Sequence, residues 1–258
     1  MLTLSKPCNI VLITRCGGCT MQASLENNNS LTNWYVFGDS LSRGIVYNSE
    51  NMRYELSETN FIDLISKKFN AQVKNYSSFG ATIKKGLQIF QRRKKDIDQP
   101  GIAFLEFGGN DCDFMWPEVA ESPTSKHLPN VRLDEFFTLY QELILSLQDK
   151  DIKPIILSLP PLVADRYFQN FSKDLDKENL LFFLGGSTKR IYQWHESYNS
   201  VLTDLAIRTN TKYIDIRRVF LEKLNPENYM CADGIHPNRE GHQLIAKFLA
   251  EKLDHNNQ

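Results

Sequence analysis

No apolar run in this chain approaches the roughly 20 residues that span a bilayer, so stable membrane insertion is not expected of its 258 residues. Charge of one sign is missing too: 30 Lys and Arg face 31 Asp and Glu, for a formal net charge of -1. That balance leaves no electrostatic footprint for nucleic acid or an anionic membrane, and points to a small molecule as partner. Cysteine is sparse and odd in number, five in all. Such a count does not suggest a disulfide framework and suits a reducing compartment. The apolar stretch from Asn9 to Thr14 is short and followed by Arg15, a poor signal peptide. The expected location is the cytoplasm.

What is present is an alternation of short apolar runs with longer helix-period segments, the pattern of a parallel sheet covered on both faces. Trp34 to Phe37, Gln72 to Tyr76, Ile102 to Phe107, Pro154 to Leu159 and Lys212 to Ile216 read as five strands. Helices are expected at Asn60 to Phe69, Ile83 to Lys95, Leu133 to Lys150, Ser187 to Thr209 and Asn238 to Leu253. The expected fold is therefore an α/β/α three-layer sandwich around a mainly parallel five-stranded sheet. Residues 1–33 end in the polar tract Glu26-Asn27-Asn28-Asn29-Ser30 and read as an N-terminal extension, with too little apolar surface to fold alone. Residues 34–258 form the expected folded domain.

In a parallel sheet with helical crossovers, the loops at the carboxyl ends of the strands share one rim. Three such loops carry polar groups. After the first strand comes Gly38-Asp39-Ser40-Leu41, where Ser40 is either a nucleophile or part of a helix cap. After the second, Ser78-Phe79-Gly80-Ala81 offers an unobstructed backbone N–H at Gly80. After the third, Gly108-Gly109-Asn110-Asp111 brings a carboxamide able to donate to a developing oxyanion, or simply an Asn tolerated in a turn. Near the C-terminus, Asp233-Gly234-Ile235-His236-Pro237 places a carboxylate three residues from an imidazole. A fold-back there lets the carboxylate hold one ring nitrogen while the other accepts a proton. Each piece alone has a structural reading; together they supply nucleophile, base, orienter and oxyanion donors for acyl transfer.

These blocks, in this order, resemble those of the SGNH hydrolase, or GDSL lipase/esterase, family, from Trp34 to about Leu253. The resemblance implies Ser40 as nucleophile, His236 as base and Asp233 as its orienter. It also implies an oxyanion hole from the Ser40 N–H, the Gly80 N–H and the Asn110 side chain. The implied activity is hydrolysis of carboxylic esters, as a lipase, lysophospholipase or acetyl-sugar esterase, on a small-molecule ester and with no metal or organic cofactor.

The same residues admit other readings. A catalytically inactive ligand-binding protein of the same fold would keep the pocket without the reaction. A metallophosphoesterase would need a second carboxylate where Ser42 stands and a His after Asn110; the five histidines show no His-x-His or His-Glu-x-x-His spacing. An α/β-hydrolase would need a Gly-x-Ser-x-Gly elbow. His195 reads as a packing or surface histidine, and His127, His242 and His255 as structural or solvated. Cys16-Gly17-Gly18-Cys19 reads as incidental. Specificity is expected from two long connections, 112–132 and 160–186, with Phe114, Trp116, Tyr167 and Phe168 as substrate-binding candidates. Cys112 and Cys231, each two residues from a site group, are expected to be free thiols at the rim.

Overall fold

The computed structural model describes residues 32–254; residues 1–31 of the expected extension, the Cys16/Cys19 pair and His255 lie outside the described residues, and Asn33, expected in the extension, opens the first strand. In chain order the elements are β1 (Asn33–Gly38), α1 (Ser40–Arg43), β2 (Ile45–Asn48), β3 (Arg53–Leu56), α2 (Phe61–Phe69), β4 (Gln72–Asn75), α3 (Ile83–Arg93), β5 (Gly101–Glu106), α4 (Trp116–Glu121), α5 (Leu133–Gln148), β6 (Ile152–Leu157), α6 (Ala164–Phe171), α7 (Lys177–Phe183), α8 (Lys189–Arg208), β7 (Lys212–Ile214), α9 (Arg218–Leu221) and α10 (Arg239–Asp254). Five strands form one parallel sheet in the order β4-β1-β5-β6-β7. The order reverses at β1, between β4 and β5, and that is where crevices open in such sheets.

Both faces of the sheet are covered, which is why its central strands are apolar throughout rather than alternating. Tyr35, Phe37, Ala103, Leu105 and Ile156 pack with residues of α3, α5 and α8 on one side. Trp34, Val36, Phe104, Ile155 and Leu157 pack with α2 and α10 on the other. Pro154 sits inside β6, in register with Ala103 of β5 and one residue before the register with β7 begins at Ile155. Caps fix the helix starts: Asn60 accepts from the Ile62 N–H at 2.8 Å and Asp176 from the Glu178 N–H at 3.0 Å.

The five strands and five long helices lie where the sequence pattern put them, with ends shifted by at most two residues. Strand ends fall short at Asn75, Glu106, Leu157 and Ile214, because the residues beyond turn into the rim loops. The two long connections are not structureless. The first carries α4, the second α6 and α7, and their side chains form a third apolar cluster with Ile191. The antiparallel hairpin of β2 and β3 was not expected. Among the described residues no helix is long and apolar enough to cross a membrane.

One tight contact sets how closely α3 approaches the sheet. A Cβ on Gly86 would lie 2.3 Å from the ring of Phe107, which is itself buried. Gly86→Ala is expected to cost about 1–3 kcal/mol by overpacking, lowering Tm by a few degrees in thermal unfolding; an unchanged Tm would show that the helix can step back freely.

Candidate active site

The loop after β1 turns at once into α1, with Asp39 as its cap: Asp39 Oδ1 accepts the Leu41 N–H at 2.9 Å. This stands Ser40 at the carboxyl end of the central strand. From the other end of the chain, the loop 230–237 folds back on itself, Cys231 N–H donating to the His236 carbonyl at 2.7 Å. Gly234 makes that turn possible. Its φ is +81, and a Cβ there would sit 2.6 Å from the Val163 carbonyl and 2.7 Å from the Tyr167 N–H nitrogen, so only glycine fits.

The turn delivers His236 to Ser40. Their side chains, 196 residues apart in sequence, meet with Nε2 and Oγ separated by 2.7 Å. On the other edge of the ring, Nδ1 lies 2.6 Å from Asp233 Oδ2. Asp233 has no exposed surface, and its Oδ1 accepts the backbone N–H groups of Ile235 and His236 at 3.2 and 3.3 Å. A buried carboxylate so close to Nδ1 holds the ring proton there, leaving Nε2 to accept from the Ser40 hydroxyl.

The three expected oxyanion donors differ in how free they are. Among the described residues neither the Ser40 nor the Gly80 N–H donates to a protein acceptor. Gly80 has φ +66 and open space where a Cβ would project. Asn110 is engaged: its Nδ2 donates to Asp39 Oδ2 at 2.8 Å and, more weakly, to the Ala81 carbonyl at 3.3 Å. The strong bond orients the amide and the weak one leaves an N–H to be redirected.

Behind Ser40 lies a feature the sequence reading missed. Glu106, at the end of β5, is buried against Asp39. Burial, and then the neighbouring Asp39 charge, push Glu106 well above the usual carboxylate range. Burial raises Asp39 as well, opposed by the Leu41 N–H, the proton of Glu106, His236 and the Asn110 amide. Glu106 therefore keeps the proton and Asp39 carries the charge that holds Asn110. Ser42 Oγ donates to Glu106 Oε2 at 3.2 Å. The signal was available, since an acid ending the apolar run Ile102-Ala103-Phe104-Leu105 must be paired or protonated. Asp111 is a third buried acid, its Oδ1 accepting the Ile83 N–H at 2.9 Å and its Oδ2 without a partner.

A cavity of about 80 Å³ opens beside Ser40, and Trp116 and Tyr167 line it together with Asn110. Asp113 ties these two aromatics together, accepting from Trp116 Nε1 at 2.7 Å and the Tyr167 hydroxyl at 2.6 Å. Phe114 and Phe168 do not reach the cavity; they are buried in the cluster behind it. His195 is buried and lines the cavity. His242 is buried against Phe61, and its desolvated ring is pushed down to about 4. Cys112 and Cys231 are free and buried, and burial raises both thiols, Cys231 to about 11. Among the described residues no group of three or more His, Cys, Asp or Glu side chains is arranged to hold a metal ion. A larger hollow, about 740 Å³, lies at the amino ends of the strands and touches no residue of the Ser40 site.

The GDSL-like Lipase/Acylhydrolase family model matches residues 36–244. The chain belongs to that family. No curated protein matches the chain significantly in sequence. Among solved structures, the lipase/acylhydrolase from Enterococcus faecalis superposes with a TM-score of 0.60 at 15% identity, covering 88% of this chain and 97% of that one. The psychrotrophic esterase EstA from Pseudoalteromonas sp. gives 0.55 at 14%, covering 87% and 97%. The acetyl xylan esterase AlAXEase gives 0.56 at 20%, covering 86% and 99%. At these identities the likeness is one of fold, that of GDSL-family hydrolases.

Protonation of Asp111 makes stability depend on pH. Burial pushes its carboxyl up to about 8, whereas the unfolded chain ionises near 3.9. Between those values the native state holds a proton that the unfolded state has released, so stability falls as pH rises from about 4 to 8 and then levels off. In Asp111→Asn that contribution is absent. Denaturant unfolding at pH 5 and pH 8.5 is expected to show the variant gaining on the native protein at the higher pH; the same difference at both would mean Asp111 is ionised throughout.

Proposed function

We propose that this family member is a serine esterase that cleaves carboxylic esters through an acyl-enzyme on Ser40. The observation that carries this reading is the unbroken relay from Asp233 through His236 to Ser40, with contacts of 2.6 and 2.7 Å. Ser40 Oγ bonds to the ester carbonyl carbon as its proton passes to His236 Nε2, and the carbonyl electron pair moves onto oxygen. Asp233 stabilises the imidazolium that results. The oxyanion is held by the N–H groups of Ser40 and Gly80, with the Asn110 amide turning from the Ala81 carbonyl to join them. His236 then gives its proton to the alkoxy oxygen as the carbon–oxygen bond breaks, and the alcohol leaves. Water repeats the two steps on the acyl-enzyme and releases the acid.

Asp39 and Glu106 have a supporting part in this reading. Asp39 fixes the Asn110 amide, and the Glu106 proton lets the buried Asp39 carry charge. No step is assigned to a metal or an organic cofactor.

Ser40→Ala is expected to lower kcat on p-nitrophenyl esters by about six orders of magnitude, since the three residues act as a unit; retention of a tenth of the activity would remove Ser40 from the role. Asn110→Ala is expected to lower kcat by about 10² to 10³ with little change in KM. A change in KM alone would make Asn110 a substrate-binding group rather than an oxyanion donor.

A further inference from the structure

The two sides of Ser40 are unlike. On one side lies the cavity of about 80 Å³, whose wall includes Ser40 and Asn110 together with Leu162, Ile191 and Trp194. His236 is not part of its wall. On the other side the His236 ring is bordered by two aromatics that the cavity does not include. Phe79 lies parallel to it at 6.5 Å and 8°, and Tyr54 meets it at 5.4 Å. The two aromatics touch each other at 5.2 Å. This second side is open: Phe79 is 55% exposed and Tyr54 41%, with Met52 and Leu56 exposed beside them on the same hairpin.

Chemistry assigns the two halves of an ester to these two sides. The alkoxy oxygen must lie within hydrogen-bond reach of His236 Nε2 to receive its proton, so the alcohol extends over Tyr54 and Phe79. With the carbonyl oxygen turned toward Gly80 and Asn110, the acyl chain has only the cavity left to enter. An apolar cavity of about 150 Å³ accepts benzene, so one of about 80 Å³ holds about three carbons beyond the carbonyl. The shelf imposes no such limit, and two exposed rings offer faces to a flat apolar surface.

Resting on the esterase reading above, we infer that the substrates are short-chain acyl esters, acetyl to butyryl, of bulky alcohols that present a flat face, with the β2–β3 hairpin and Phe79 as the alcohol-recognition element. The hairpin is thereby a binding element of the site, and Ile191 and Leu162 set the acyl length limit.

The test is kcat/KM across p-nitrophenyl esters from C2 to C12, with ethyl acetate and an acetylated pyranoside alongside. The native enzyme is expected to lose at least tenfold between butyrate and octanoate. Ile191→Ala is expected to move that break to longer chains, and Tyr54→Ala to cut the preference for p-nitrophenyl acetate over ethyl acetate about fivefold, mainly through KM. Rates that rise to octanoate and beyond in the native enzyme would overturn the assignment and leave the esterase reading standing. A Tyr54→Ala preference equal to that of the native enzyme would overturn the shelf. Failure to cleave any ester in the series would overturn the esterase reading itself, a result distinct from the other two.

Discussion

The site depends on a carboxylate that never meets water. Asp233 is fully buried, and removing an ion from water costs several kcal/mol unless hydrogen bonds replace its hydration. Here three donors do so: the His236 ring and the backbone N–H groups of Ile235 and His236. All three come from the same turn, so the loop can satisfy its carboxylate only in the conformation that aims His236 at Ser40. Packing enforces the same conformation from outside. Gly234 is pressed against the start of α6, its carbonyl accepting the Val163 N–H at 2.8 Å, and the bridge between Met230 and Pro237 closes the loop's base.

A second electrostatic arrangement lies under the nucleophile candidate. Asp39, Glu106 and Asp111 are all buried, and three charges so close in a dry interior would repel strongly. Two of the three carboxyls resolve this by holding protons, and the remaining charge, on Asp39, is spent on the Leu41 N–H and the Asn110 amide. The sheet topology brings them together: β1 and β5 are neighbours in register, Gly38 beside Glu106, so the loops that follow them must share the rim. The cost in stability is the kind that functional sites carry for preorganisation.

The sheet and its covering helices were legible because both faces are buried, which leaves near-continuous apolar runs such as Ile102 to Leu105 separated by long amphipathic segments. The polar blocks at the rim were legible for the same topological reason. What escaped the sequence reading has physical causes too. The β2–β3 hairpin has only four residues in each strand, so the polar–apolar alternation of Arg53-Tyr54-Glu55-Leu56 is too short to stand out, and its turn through Ser49 to Met52 lacks the Asn-Gly or Asp-Gly pair that signals a tight hairpin. Phe114 and Phe168 are aromatics on long connections, but α4, α6 and α7 need an apolar core of their own, and those two rings are part of it. Composition alone does not tell a ring that lines a cavity from one that supports its wall.

The central proposal is that burial of Asp233 and the fold of its loop make Ser40, alone among the described serines, a nucleophile. It is tested most directly by treating the native protein with a fluorophosphonate and mapping the adduct by peptide mass spectrometry. The account predicts one adduct per chain, on Ser40, and its loss in His236→Ala with the fold intact. Modification of a different serine, or equal labelling of Ser40 without His236, would contradict it.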